Sequence, residues 1–202
     1  LDGIGTIELT RDRAERALSL FARAAEVSPP SADRYYRMAL ALNMLGRPDV
    51  ALRQLRTAAH LNPEDPDIRL RLGDMYKAVG NYAQAINQYR LGLKLAPDNV
   101  LLLNNFAWIV ATSDKKLNAT PEEALLAAKR ALDITGGQVP AILDTLAAAY
   151  ARTGDFESAV ESQERCINLL EDAGEPTEEE SERLDLYRDE EPYTVSLDAK
   201  KP

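Results

Sequence analysis

Pro29, Pro63 and Pro97 recur at an interval of 34 residues, and small residues keep the same interval at Ala17, Ala51 and Ala85 and at Ala24, Ala58 and Gly92. Gly46 pairs with Gly80, and Leu42 with Tyr76, at that spacing too. A period shared by so many positions marks a stack of supersecondary units, each covering the apolar face of its neighbour. In the clearest copy, residues 66–99, Leu72, Met75, Tyr76 and Val79 follow helical spacing and form one apolar stripe. Gly73 and Ala85 are small enough to let two antiparallel helices approach closely, Gly80-Asn81 supplies the turn between them, and Pro97 stops the second helix. Asp65 before Pro66 predicts an N-cap followed by a first helical residue.

The other copies vary this plan. The third carries five extra residues within Ala111–Glu123, where Thr120 and Glu123 around Pro121 predict a capping box that restarts the second helix. One more residue is added at Gly136-Gly137. The fourth copy keeps Leu146-Ala147, Tyr150, Gly154, Phe156 and Ala159, and places Cys166 in a small-residue slot. A buried core thiol is expected there, with a redox role as the alternative. Residues 10–28 read as a lone second helix, with Ala17, Phe21 and Ala24 in register with Ala51, Leu55 and Ala58. Thr177 with Glu180 starts a last helix running to about Arg188, followed by an expected loose tail.

Leu72-Gly73, Tyr76, Gly80, Tyr82, Ala85, Tyr89 and Pro97 resemble the tetratricopeptide repeat family, with Arg69 in place of its usual opening Trp. The stretch 104–170 is similar to tetratricopeptide arrays of large bacterial proteins, which suggests a bacterial source. The resemblance implies an all-α fold, a right-handed α-α superhelix of roughly four helix pairs with a C-terminal capping helix. The expected division is a partial repeat at 1–31, full repeats at 32–65, 66–99, 100–139 and 140–173, an acidic cap at 174–188 and a tail at 189–202.

Charge and composition remove several function classes. The net charge is −9, and residues 171–191 alone hold eleven acids against Arg183 and Arg188. The remainder is therefore neutral overall and offers no basic footprint for a nucleic-acid backbone. One Cys and one His, His60, rule out multi-thiolate and multi-histidine metal sites, so no metal and no cofactor are expected. His60 lies near the end of a second helix, where a cation favours the helix dipole. Ser113-Asp114-Lys115-Lys116 fits an S-x-x-K pattern without its partner motifs, and Asn118-Ala119-Thr120 fits a glycosylation sequon in which Thr120 already has a capping task. No nucleophile, base and acid converge, and no enzyme is expected. Neither a signal peptide nor an unbroken apolar run of about 18 residues is present, which favours the cytoplasm. Because the chain does not begin with Met, a targeting segment could lie upstream of Leu1.

The expected function is binding of a protein or peptide in the concave groove lined by the first helix of each repeat. In the first full copy that surface carries Tyr36, Arg37 and Asn43, and in the second Arg71, Asp74 and Lys77. The third contributes Asn104, Asn105 and Trp108, and the fourth Asp144 and Thr145. Arg37, Arg71, Asn105 and Thr145 share one register and could hold a peptide backbone or carboxylate by charge-assisted hydrogen bonds. Tyr36 and Trp108 could act as aromatic anchors. The alternatives are that Trp108 simply packs between helices and that Arg37 and Arg71 pair with Asp33, Asp67 or Asp74. The Lys, Asn, Asn, Lys, Arg set with which chaperone-binding members grip a carboxylate is matched in neither window of three repeats. The insert at 112–120 is a second candidate surface. Self-assembly through the solenoid ends, or service to an enzyme whose catalytic part lies outside this chain, are the competing functions.

Overall fold

A computed structural model describes residues 13–195. Those residues form ten α-helices in two compact units that divide between Leu95 and Ala96. None of these helices is long and apolar enough to cross a membrane. Residues 1–12 of the expected partial repeat and 196–202 of the expected tail lie outside the described residues.

The first unit runs α1 (Ala14–Val27), α2 (Ala32–Met44), α3 (Pro48–Leu61), α4 (Pro66–Ala78) and α5 (Tyr82–Leu95), each helix packed on the next. Its core repeats with the sequence. Ala17, Ala51 and Ala85 are buried at one level, Phe21, Leu55 and Tyr89 at the next, and Ala24, Ala58 and Gly92 at a third. Alternating small and large residues in this way lets neighbouring helices interdigitate at close range. The Tyr89 ring lies directly over Gly73, where a Cβ would overlap it. Gly46 and Gly80 take φ of 69° and 77° after the first helix of their repeats, a left-handed turn that a Cβ would disfavour. Asp65 caps α4 by accepting from the amides of Asp67 and Ile68 at 2.9 and 3.2 Å. The buried face of α2 is less apolar than that of α4. Tyr35 and Met38 are only half-buried, while Arg34 is buried and donates to the Pro29 carbonyl at 3.1 Å.

The second unit runs α6 (Val100–Thr112), α7 (Pro121–Thr135), α8 (Pro140–Thr153), α9 (Phe156–Ala173) and α10 (Glu178–Arg188). The capping box at the start of α7 is formed: Thr120 Oγ1 accepts from the Glu123 amide and Glu123 accepts from the Thr120 amide. Ser113, the serine of the S-x-x-K match, is buried and spends its hydroxyl on the main chain of Lys115. α8 is buried at every position from Ile142 to Ala149, packed among α6, α7 and α9. A helix covered all round must be apolar or have its polar groups paired, and that requirement sets the fate of Asp144.

The expected loose tail is corrected for residues 189–195. The chain turns back after α10 through Glu190 at φ 59° and places Tyr193 against Trp108. The Val195 amide then donates to the Thr112 carbonyl at 2.7 Å. An aromatic side chain and one main-chain hydrogen bond are enough to order a segment already tethered a few residues away.

Candidate partner-binding surface

In the first unit the residues expected on the inner surface stand open on α2 and α4. Arg37 Nε donates to Asp33 at 2.8 Å, one helical turn away. Arg71 Nε donates to the Tyr36 hydroxyl at 3.4 Å, and its Nη1 reaches Asp74 at 3.5 Å. Asp74 in turn accepts from the buried Tyr89 hydroxyl at 2.9 Å. This chain runs from a core tyrosine through a carboxylate to a guanidinium and a surface tyrosine. The hydrogen bond that Arg71 donates to Tyr36 holds the guanidinium above its ordinary pKa, so it stays a cation at any physiological pH. The side chains of Arg37 and Arg71 are 29% and 46% exposed, which leaves guanidinium edges open to a ligand. Asn43 is exposed and Lys77 half-exposed on the same two helices. Beside Tyr36 lies a shallow cavity of about 230 Å³ between Asp33, Asp67 and Ile68. The pairing of Arg37 with Asp33 and of Arg71 with Asp74, expected as the alternative to ligand binding, is present in the free protein.

The second unit treats its share of the predicted surface differently. Thr145 is 1% exposed and turns its hydroxyl back to the Ala141 carbonyl at 2.9 Å, so it offers nothing to a partner in this arrangement. Asp144 forms a buried ion pair with Arg183 of α10, Oδ1 to Nε at 2.8 Å, with both side chains nearly covered. Gln163 Nε2 donates to the same carboxylate at 2.9 Å and also to the Glu180 carbonyl at 3.2 Å, tying α9 and α10 to α8. Glu180 completes the arginine's coordination at 2.7 Å. Trp108 packs against Tyr193 with ring centroids 6.1 Å apart, and the Arg183 guanidinium sits 5.7 Å from the Trp108 ring. Asn104 and Asn105 are half-buried on α6, and the Asn104 amide oxygen is covered with no hydrogen-bond partner among the described residues. The chain's own α10 and the segment after it thus occupy the places where a partner was expected at Trp108 and Asp144.

Burial sets the electrostatics of this cluster. It pushes the Asp144 carboxyl above its ordinary value, while Arg183 and Gln163 pull it back toward ionisation. The Tyr187 hydroxyl, fully covered beside Ala147, Ala151 and Ala159, is pushed well up for the same reason. Gln163, completely buried, was missed by the sequence reading although a signal existed. It fills the register slot that holds Phe21, Leu55 and Tyr89 in earlier copies, and a polar residue in a core slot requires a buried partner.

Cys166 is buried, as expected, and its thiol donates to the Pro140 carbonyl at 3.2 Å. Desolvation raises its pKa from 9.0 to about 12, helped by the nearby Asp144 and Glu180 charges. A folded pKa above the unfolded one means that the thiol's contribution to stability is complete below pH 9.0 and is lost as the pH rises toward about 12. At pH 8 the native thiolate population should be on the order of a thousandfold below that of the unfolded chain. Native protein should therefore resist a colorimetric disulfide reagent that labels it promptly in urea. Equal labelling rates in both states would disprove the burial argument. Among the described residues, no three His, Cys, Asp or Glu side chains are placed to hold a metal ion.

Comparison with known proteins agrees with the repeat geometry. Two family models, both described as tetratricopeptide repeat, match residues 42–104 and 141–171. The small glutamine-rich tetratricopeptide repeat-containing protein 2 of Mycosarcoma maydis is 26% identical over 91 residues, 45% of this chain. The chain spans about a quarter of that relative's length, 26%. Among solved structures, MamA aligns with a TM-score of 0.72 at 14% identity, covering 85% of this chain and 96% of its own. YrrB, described as a tetratricopeptide repeat protein with an unusual peptide-binding site, aligns with a TM-score of 0.71 at 17% identity and 84% coverage of each chain. A thermophilic tetratricopeptide repeat protein of Thermus thermophilus covers 92% of this chain and 95% of its own, with a TM-score of 0.60 and 21% identity. With the 34-residue core register, the helix pairs and these matches in agreement, residues 42–104 and 141–171 of this chain match the tetratricopeptide repeat, and the chain folds as an all-α repeat solenoid.

Proposed function

We propose that this protein is an interaction scaffold that holds an extended segment of a partner protein on the open face of α2 and α4. The observation that carries this reading is the hydrogen-bonded run from Tyr89 through Asp74 and Arg71 to Tyr36. It fixes a guanidinium and a tyrosine ring at the surface before any ligand arrives, which lowers the ordering cost of binding. Arg37 extends the same edge, and the cavity beside Tyr36 is large enough for one side chain. A guanidinium fork suits a carboxylate or a peptide carbonyl, and Tyr36 offers a rigid aromatic anchor. The peptide-binding site named for YrrB lies in a protein of the same fold and supports the class of ligand, not its sequence.

The test is selection of a displayed random-peptide library on the protein, followed by fluorescence polarisation with the selected peptides. Charge reversal in Arg37→Glu with Arg71→Glu should weaken binding at least tenfold, since hydrogen bonds to charged groups are each worth about 1.5–3 kcal/mol. Helicity and melting temperature should stay near the original, because exposed ion pairs contribute only about 0–1 kcal/mol. Selected peptides that bind the folded double variant as tightly as the original would refute the assignment.

A further inference from the structure

The segment after α10 lies on α6 in the manner of a bound peptide. Tyr193 sets its ring against both Trp108, tilted at 6.1 Å, and the Arg183 guanidinium, at 5.5 Å. Two residues on, Val195 pairs in parallel with Ser113 and gives its amide to Thr112 at 2.7 Å. The site is built independently of this occupant. Arg183 is held in place by Asp144 and Glu180, and Ser113 is held by Arg152, whose guanidinium donates to the Ser113 carbonyl at 2.8 Å. Two features mark the occupant as a poor match to its site. Reaching it requires Glu190 in a left-handed conformation that a non-glycine residue adopts at some cost. The residues leading into it, Asp189, Glu190 and Glu191, are acidic, and so is the exposed face of α10, where Glu179 and Asp185 stand open. Asp189 and Glu191 fold back onto Asp185 and Leu186 at the end of the helix, and like charges gathered there weaken the docking of this segment. Its retention is explained by tethering, since a short linker gives an effective concentration of about millimolar order.

We propose that the Trp108–Arg183 slot is a docking site for a partner's extended segment with an aromatic residue, an aliphatic residue two positions later, and basic residues just before the aromatic one. Tyr193–Val195 is its internal competitor. The aromatic ring packs against both Trp108 and Arg183, the second main-chain amide after it bonds to Thr112, and the basic flank meets the acids of α10. This site is separate from the one proposed on α2 and α4, and either can fail alone.

Trp108 is the one tryptophan in the sequence, so its emission reports on the slot directly. The full chain carrying Tyr193→Ala is titrated with the peptides KKPYTVSL and EEPYTVSL, the second copying residues 190–197. A saturable change in emission is expected, with the basic peptide several-fold tighter at low salt and the difference fading as salt is added. The unaltered chain should bind the basic peptide at least tenfold more weakly, because its own segment must first leave. Val195→Pro, which lacks the amide donor but keeps Tyr193, should fall between the two. Replacing the peptide's Tyr by Ala should abolish binding, and Arg37→Glu with Arg71→Glu should leave the titration unchanged. If neither opened variant binds either peptide while both retain native helicity, or if opened and unaltered chains bind equally, the proposal is overturned.

Discussion

Arg183→Met is expected to lower the unfolding free energy of the second unit by about 3–5 kcal/mol, the usual consequence of leaving one partner of a buried ion pair uncompensated. The side chains are 8% and 12% exposed, so water cannot readily replace the guanidinium beside Asp144. The loss reaches further than the pair. Arg183 also binds Glu180 and lies over both Trp108 and Tyr193, so α10 and the segment behind it lose their common anchor. Urea titration followed by Trp108 emission should show an earlier transition and a red-shifted folded baseline. Pairing Arg183→Met with Asp144→Leu should recover much of the loss, since two apolar groups of similar volume can replace a buried pair at little cost. If the single variant unfolds at the original urea concentration, the ion pair does not anchor α10. If the double variant is no more stable than the single, packing and not charge governs the site.

Tyr89→Ala should cost the first unit about 3–5 kcal/mol, because it empties a fully buried aromatic slot. It also deprives Asp74 of the hydroxyl that orients it toward Arg71. Gly73→Ala should cost about 1–3 kcal/mol from the opposite direction, by forcing a methyl group into the space of the Tyr89 ring. The combination distinguishes packing from helix propensity. With the ring gone, the added methyl has room, and alanine is the better helix former by about 1 kcal/mol. The double variant should therefore be at least as stable as Tyr89→Ala alone, a strongly non-additive result by thermal and chemical denaturation. Additive losses would mean that Gly73 is required for a reason other than the ring above it.

The division between what was legible in the sequence and what was not follows the range of the interactions. Within a repeat, the residues that must be small and those that must be large lie a helical turn or a short hairpin apart. The interval linking Ala17, Ala51 and Ala85 therefore announces the helix pairs and the core levels without any coordinates. The cap at Asp65, the capping box at Thr120 and the covered Cys166 were legible for the same reason, because local backbone chemistry or a repeat register demands them. The register also contained a clue that was not used, Gln163 in a slot that is apolar in the earlier copies. The tertiary structure decided which faces of the repeats stay open. A segment expected as an acidic cap holds a buried arginine, and the tail behind it covers Trp108. Neither has a period. Asp144 meets Arg183 across 39 residues, and Tyr193 reaches Trp108 across 85, through single contacts that leave no pattern along the chain. Repetition writes each repeat's own packing into the sequence many times over, whereas the return of a non-repeating end onto the array is written once and becomes visible only when the chain has folded.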